Sequence, residues 1–179
     1  MFFSISNAQK LVKRLQTQQN RLEVLEKNAS VYSYFEGETV TVPEYSFSKT
    51  MEQVEKIANV ITEIKHLIRV ENVKNTIPSG ITVDEAIVQM AFLTKQKDKL
   101  ERMVNRNKKM IDKTSAYSGG TATKYTAVNY SLEEVNQKYN EVCTKILRLQ
   151  DEINQFNVMH QIKISMDEDE INKLFTVLM

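Results

Sequence analysis

The sequence predicts a mainly α fold, an up-down bundle of long, coiled-coil-like helices with a small antiparallel β arm. In the last long apolar stretch, apolar residues alternate in steps of four and three from Val135 to Phe156. That heptad spacing is typical of a helix that packs lengthwise against other helices. The 179 residues include only four Gly and two Pro, so few positions interrupt helices. A chain of this length can bury one core, and we predict a single domain over residues 1–179.

The composition indicates a soluble, intracellular chain. Its formal net charge is +1, which indicates no general attraction to polyanions. The single Cys143 excludes an intramolecular disulfide and favours a reducing cytoplasm. The sequence shows neither a secretory signal pattern nor an apolar run of about 18 residues. We therefore predict a cytoplasmic protein with no membrane span.

The first two helices are predicted over residues 6–28 and 49–75. Ser48 is the predicted N-cap of the second helix, and Pro78 with Gly80 ends it. Apolar residues recur along both stretches at helical spacing. They are Leu11, Leu15, Leu22 and Leu25 in the first helix, and Val54, Ile57, Ile61, Ile64 and Ile68 in the second.

The third and fourth helices are predicted over residues 83–113 and 131–158. Thr82 is the expected N-cap of the third helix. Ser131 and Glu134 have the spacing of a capping box at the start of the fourth. Ser165 and Glu168 repeat that spacing, so a short C-terminal helix is predicted over residues 166–178.

The two long connections predict the β arm. Loops as long as residues 29–47 and 115–130 are uncommon in compact domains unless they contain structure of their own. Both are rich in β-branched and aromatic residues, which favour strands. In an up-down bundle these connections lie at the same end. We therefore predict that residues 30–45 pair with residues 122–130.

Aromatic and apolar residues outside the helical stripes predict a surface for protein contacts. We expect the chain to be a non-enzymatic interaction or structural coiled-coil protein that binds itself, as a homo-oligomer, or another protein. A long, thin bundle has little interior of its own, and self-association would bury more of its apolar surface. The candidate residues, on the arm and at the C-terminus, are Tyr32, Tyr34, Phe35, Tyr125, Tyr130, Leu174, Phe175 and Leu178.

The third predicted helix also suggests an alternative function. Residues 95–113 contain eight basic and three acidic residues. A basic helix face can bind nucleic acid or an anionic surface, although such charges usually form the solvated outer face of a helix. The residues that would carry this binding are Arg102, Arg106, Lys108 and Lys109.

No pattern predicts catalytic residues, a metal site or a cofactor. His66 and His160 lack metal-ligand spacing, and the acidic run at 167–170 fits the first turn of a helix. Asn72, Asn75 and Thr82 flank the Pro78 turn. They either close the second helix and cap the third or line a small polar site. If they line such a site, the chain is a ligand carrier or an enzyme without a recognisable motif, which is a third hypothesis.

Several of these features together resemble a known family. Asn72 and Asn75 match an Asn-x-x-Asn element, and Gly80 and Thr82 match the Gly-x-Thr that precedes the next helix. The chain resembles, over about residues 11–159, a family of small bacterial helical proteins, some labelled septicolysin. The resemblance implies a helical bundle and no established activity. Other members often carry an Arg-Asp pair where this chain has Met90-Ala91.

Overall fold

The structure, a computed structural model, describes residues 1–111 and 124–176 and is mainly α, as predicted. Its helices are α1 (Ile5–Ala29), α2 (Phe47–Lys74), α3 (Val83–Val104), α4 (Leu132–Met159) and the short α5 (Glu168–Lys173). Strand β1 (Phe2–Ser4) pairs antiparallel with β4 (Gln161–Lys163), and β2 (Lys109–Ile111) pairs antiparallel with β3 (Tyr125–Ala127).

The chain divides into two compact units, and the single domain over residues 1–179 stays a prediction. The first unit comprises Met1–Thr76 and Asn154–Met179, and the second comprises Ile77–Ile153. The first unit contains α1, α2 and the end of α4, and the second contains α3 and the rest of α4. The buried core cluster that includes Leu15, Ile57 and Ile164 lies entirely within the first unit.

Helices α1 and α2 form an antiparallel pair in the first unit. The Tyr45 hydroxyl, just before α2, donates a 3.3 Å hydrogen bond to Glu26 near the end of α1. At the opposite end, Val12 of α1 and Ile68 of α2 line one surface hollow. The predicted apolar stripes face each other and are buried at Leu11, Leu15, Leu22, Ile57, Ile61 and Ile64. Full burial of such a side chain contributes about 1.5–3 kcal/mol, so this seam is a main source of stability.

The first and last segments of the chain complete this core. Phe3 lies opposite Ile162 in the β1–β4 pair, and Ile162 is buried against the helices. The backbone amide of Ile5 donates to the His160 carbonyl at 3.0 Å. After β4, the chain packs along α1 and α2, where Ile164 and Leu174 enter the core.

The C-terminal helix is shorter than predicted. It begins at Glu168 because Asp167 and Glu170 form the capping box, rather than Ser165 and Glu168. Ser165 instead donates from its backbone amide and hydroxyl to the Glu63 carboxylate, at 2.9 and 2.8 Å.

Helices α3 and α4 run antiparallel in the second unit. At one end, the Tyr130 hydroxyl donates to the Met103 carbonyl at 2.8 Å. At the other end, the amide and hydroxyl of Ser79 donate to Glu152 at 2.9 and 2.6 Å. The facing stripes are buried at Val83, Ala86, Leu93 and Leu100 of α3 and at Val135, Val142, Leu149 and Ile153 of α4. Thr82 and Glu85 form the capping box that begins α3.

Helix α3 ends at Val104, so its predicted extension to residue 113 is wrong. Asn105 and Asn107 are weak helix formers, and Asn105 occupies the C-cap with its amide bonded to the Glu101 carbonyl. Beyond them, Lys109–Ile111 forms strand β2. The remaining predicted helical positions, 112 and 113, lie outside the described residues.

The predicted pairing of the two long connections is also wrong. Residues 31–46 form no strand; they turn at Gly37, where Glu38 accepts a hydrogen bond from the Phe35 amide at 3.0 Å. Of the predicted arm residues 122–130, Tyr125–Ala127 does form a strand, but its partner is Lys109–Ile111. A nearby partner closes a shorter loop and loses less chain entropy than a distant one. The predicted N-cap of α2 shifts as well, from Ser48 to Ser46.

Candidate interaction surface

An exposed apolar surface lies on the first three turns of α3. Ile87, Val88 and Phe92 expose 43%, 65% and 67% of their surface, and Ala91 beside them is also exposed. Ile87 and Ala91 are one turn apart, as are Val88 and Phe92, and all four face away from the buried side of the helix. We call Ile87, Val88, Ala91 and Phe92 the α3 stripe. Contiguous exposed apolar side chains of this kind mark interaction sites.

Two opposite charges border the α3 stripe along the helix. Asp84 precedes Val88 by four residues, and Lys95 follows Ala91 by four residues, so all four lie on one line of the helix surface. Asp84 and Lys95 are exposed, and neither forms a salt bridge within residues 1–111 and 124–176. An apolar centre with charges at its rim is the usual anatomy of a protein interface.

The α3 stripe is not among the residues predicted to form contacts, because only the buried seam of the third helix was used to define that helix. The signal was nevertheless present. Apolar residues at 87, 88, 91 and 92 accompany the seam residues at 83, 86, 90 and 93. The first half of this helix is therefore apolar around most of its circumference, which a helix with one covered face does not require.

The predicted aromatic residues of the first connection are exposed. Tyr32, Tyr34 and Phe35 lie between α1 and α2 in the first unit, and Phe35 exposes 83% of its surface. The rings of Tyr32 and Tyr34 stack with centroids 6.0 Å apart. These residues lie in irregular structure, without the strand that was expected to present them.

The predicted aromatic residues of the second connection have partners within the second unit. The Lys109 ammonium lies 4.0 Å from the centre of the half-exposed Tyr125 ring, a cation–π contact within the β2–β3 pair. Tyr130 donates to Met103 and so fixes the turn into α4. The strand that contains Tyr125 therefore pairs with Lys109–Ile111 in place of the predicted partner, residues 30–45.

The predicted C-terminal contact residues are used within the first unit. Leu174 exposes only 4% of its surface and belongs to the core. Phe175 packs partly buried against that core, with the Arg14 guanidinium 4.7 Å above its ring. Gln53, itself buried, donates to the carbonyls of Leu174 and Thr176 at 3.1 and 2.7 Å. Leu178 lies outside the described residues.

The four basic residues of the alternative function are exposed but do not share one helix face. Arg102 lies on α3, and its Nε donates to the Asp98 carbonyl at 3.1 Å. Arg106 and Lys108 follow the end of α3, and Lys109 begins β2. The predicted basic helix face is therefore replaced by a short basic segment between α3 and β2.

The predicted polar turn is divided between the two units. Thr82 serves the capping box of α3. Asn75 closes α2, since its Nδ2 donates to the backbone carbonyl of Glu71 at 2.8 Å and to its carboxylate at 3.0 Å. The Asn72 side-chain oxygen is buried and has no hydrogen-bond partner among the described residues.

One polar contact at the end of α2 was not foreseen. His160 Nε2 lies 2.8 Å from Oε2 of Glu71, and the His160 ring stacks on Phe156 with centroids 4.8 Å apart. The hydrogen bond with His160 lowers the pKa of Glu71, partial burial opposes this, and the Asn75 hydrogen bond assists it. Glu71 and His160 are far apart in sequence, and no local pattern links them.

Residues 1–111 and 124–176 contain no cluster of three His, Cys, Asp or Glu side chains that could hold a metal ion. No helix within these ranges is long and apolar enough to cross a membrane.

The comparisons with known proteins identify one similar structure. No protein-family model matches the chain, and no curated protein matches its sequence. The fold is similar to that of a functionally unknown conserved protein from Corynebacterium diphtheriae, known from a crystal structure. The TM-score is 0.68 at 13% sequence identity, over 91% of this chain and 100% of that one. This likeness shows the fold alone, and the resemblance to the septicolysin-labelled family stays a prediction.

Proposed function

We propose that this chain is a non-enzymatic interaction protein that associates with itself through the α3 stripe. The observation that supports this function is the exposure of Ile87, Val88 and Phe92 in the first half of a regular helix. The solvent-facing side of a helix is ordinarily polar, and three large apolar side chains at helical spacing do not stabilise a face that remains in water. Loss of water from these side chains supplies the driving force for association.

The expected affinity is moderate. Each fully buried side chain of this size contributes about 1.5–3 kcal/mol, and association loses at least about 4 kcal/mol of translational and rotational freedom. Stable interfaces usually bury about 800 Å² on each partner, which is more than one short helix face provides. We therefore expect a dimer with a dissociation constant in the micromolar range. A dissociation constant of 1 μM corresponds to a binding free energy of about 8 kcal/mol.

Solution mass tests this function. Light scattering behind a sizing column, over loading concentrations from about 1 to 500 μM to span the expected affinity, should show the mass rising from one chain to two. Phe92→Gln removes the largest apolar side chain of the stripe and keeps a good helix former. We expect this variant to remain monomeric at concentrations where the natural chain is dimeric.

Leu147→Gln is the matched control. Leu147 is 62% exposed in the middle of α4 and belongs to no exposed stripe of this kind. Its replacement removes a similar exposed apolar side chain from the same unit and should leave the dimer intact. A natural chain that is monomeric throughout the concentration series would contradict the proposed function, as would equal effects of the two substitutions.

Binding of an anionic polymer is the second candidate function, favoured by the exposed run of Arg106, Lys108 and Lys109 beside Arg102. It predicts that a short fluorescent single-stranded DNA binds at low salt and dissociates as salt rises. Arg106→Gln with Lys108→Gln should weaken binding and flatten the salt dependence, whereas Lys10→Gln with Lys13→Gln on α1 should not. Absence of binding at low salt would eliminate this candidate.

A further inference from the structure

The order of residues along the α3 stripe points to a specific occupant. We propose that a second copy of this chain docks on the stripe with the two α3 helices antiparallel, related by a two-fold axis between Gln89 and Met90. This inference rests on the proposed self-association and specifies the arrangement of its contact.

In the antiparallel arrangement, each position of the stripe meets a complementary position of the second copy. With the helices antiparallel about that axis, Val88 of one copy lies level with Ala91 of the partner subunit, and Ala91 with the partner's Val88. One turn further out at both ends, Asp84 lies level with the partner's Lys95. A two-fold contact requires one surface to complement itself, and these positions satisfy that requirement with one small and one larger apolar residue, and one charge of each sign.

Charge decides between the two directions of packing. In the antiparallel arrangement Asp84 and Lys95 form two symmetric ion pairs, one at each end of a contact about 16 Å long at 1.5 Å per residue. A parallel arrangement would place Asp84 against the partner's Asp84 and Lys95 against the partner's Lys95. Like charges brought together across an interface disfavour that arrangement, and both groups are exposed and available for the ion pairs.

The flanking residues fit the same geometry. Phe92 lies on one flank of the stripe and Ile87 on the other, and a two-fold axis places the same flank of both copies together. Helical side chains lean toward the helix N-terminus, so Phe92 in each copy leans toward the axis. The two Phe92 rings therefore converge, and the small Ala91 leaves the helices room to approach.

Charge reversal tests this arrangement on the full chain. Asp84→Lys alone, or Lys95→Asp alone, creates two like-charge pairs in the dimer, and each should weaken dimerisation by about tenfold or more. The double variant D84K/K95D exchanges the charges and should recover a dimer in the proposed arrangement. An equimolar mixture of the two single variants should also form dimers, since each supplies the charge that the other lacks.

A second helix start provides the matched control. Glu133 is the second residue of α4, as Asp84 is the second residue of α3, and both are exposed. Glu133→Lys therefore alters the charge of a helix first turn without touching the stripe, and it should leave dimerisation unchanged. Circular dichroism of each variant confirms that its helices form.

The outcomes separate this arrangement from the function on which it rests. Weakened single variants with recovery in D84K/K95D are the expected result. If the natural chain dimerises but the single variants do so equally well, or the double variant stays monomeric, the antiparallel arrangement is overturned and self-association stands. If the natural chain never dimerises, both proposals fail together.

Discussion

At the scale of single residues, the contact between Glu71 and His160 carries a dependence of stability on pH. The His160 hydrogen bond holds the pKa of Glu71 below its ordinary value of 4.5 in the folded chain. A carboxylate with a lowered folded pKa stabilises the fold fully above its unfolded pKa, and this contribution is lost as the pH falls through the folded value. The stability supplied by Glu71 is therefore present at neutral pH and disappears below about pH 4.5.

Glu71→Gln should remove this contribution. We expect a loss of about 1 kcal/mol at neutral pH, because the carboxylate is partly exposed and its charged hydrogen bonds are correspondingly screened. Urea unfolding at pH 7 and again below pH 4.5 measures the difference, which should narrow at the lower pH. Glu55→Gln, an exposed change on the same helix, is the control, and an equal pH dependence for both variants would refute this account.

At the scale of elements, the segment after β4 stabilises the α1–α2 pair. Leu174 is almost fully buried against this pair, and Gln53 holds the adjacent backbone by two hydrogen bonds. Leu174→Ala should lower the free energy of unfolding by about 2–5 kcal/mol, the usual cost of deleting a buried Leu side chain. It should leave the dimer mass unchanged, because the dimer contact is assigned to α3.

Measurement of both quantities on the same variant distinguishes core from interface. Chemical denaturation reports the stability, and light scattering at a temperature where the variant is folded reports the mass. Leu147→Ala, at an exposed site, should lower the stability by less than about 0.5 kcal/mol. If Leu174→Ala abolishes the dimer without lowering the stability, Leu174 belongs to the dimer interface, as the sequence suggested, and not to the core.

The same element shows how far sequence reasoning reaches. The long helices were predictable because each carries its own apolar stripe and local caps, such as Thr82 with Glu85. The strand pairings were not predictable, because the partner of a short strand depends on which other segment the fold places beside it. Strand β1 pairs with the distant β4, whereas β3 pairs with the nearby β2. In the sequence, Leu174 is an apolar C-terminal residue that could pack inside the chain or against another chain. Its burial in the core of the first unit, beside the hydrogen bond from Gln53 to its carbonyl, decides between the two.

The candidate surface shows a second limit. Ile87, Val88 and Phe92 are visible in the sequence as apolar residues, but any face of a bundle helix can be covered by a neighbour. Their exposure depends on which side of α3 packs against α4. Hydrogen bonds from Tyr130 to Met103 and from Ser79 to Glu152 hold the two ends of that pair. Spacing alone does not reveal such contacts.

At the scale of the whole molecule, self-association links stability to concentration. A dimer that forms only from folded chains raises the temperature of unfolding as the protein concentration rises. We expect the unfolding temperature of the natural chain to increase between about 1 and 500 μM, the range that brackets a micromolar dissociation constant. That of Phe92→Gln should stay constant, and scanning calorimetry or circular dichroism at several concentrations measures both.

Leu147→Gln again serves as the control and should retain the concentration dependence. A constant unfolding temperature for the natural chain would show that its folded state gains nothing from association over this range. A concentration dependence that persists in Phe92→Gln would place the contact elsewhere than the α3 stripe.

The order of the two units along the chain has a consequence for synthesis in the cell. The core of the first unit needs Ile162, Ile164 and Leu174, yet the whole second unit, Ile77–Ile153, is translated before them. At about 5–20 residues per second, synthesis reaches Leu174 roughly 5–20 seconds after the end of α2 at Lys74. During this interval the part of the α1–α2 core that Ile162, Ile164 and Leu174 cover stays exposed, whereas α4, the partner of α3, is complete before this segment is made.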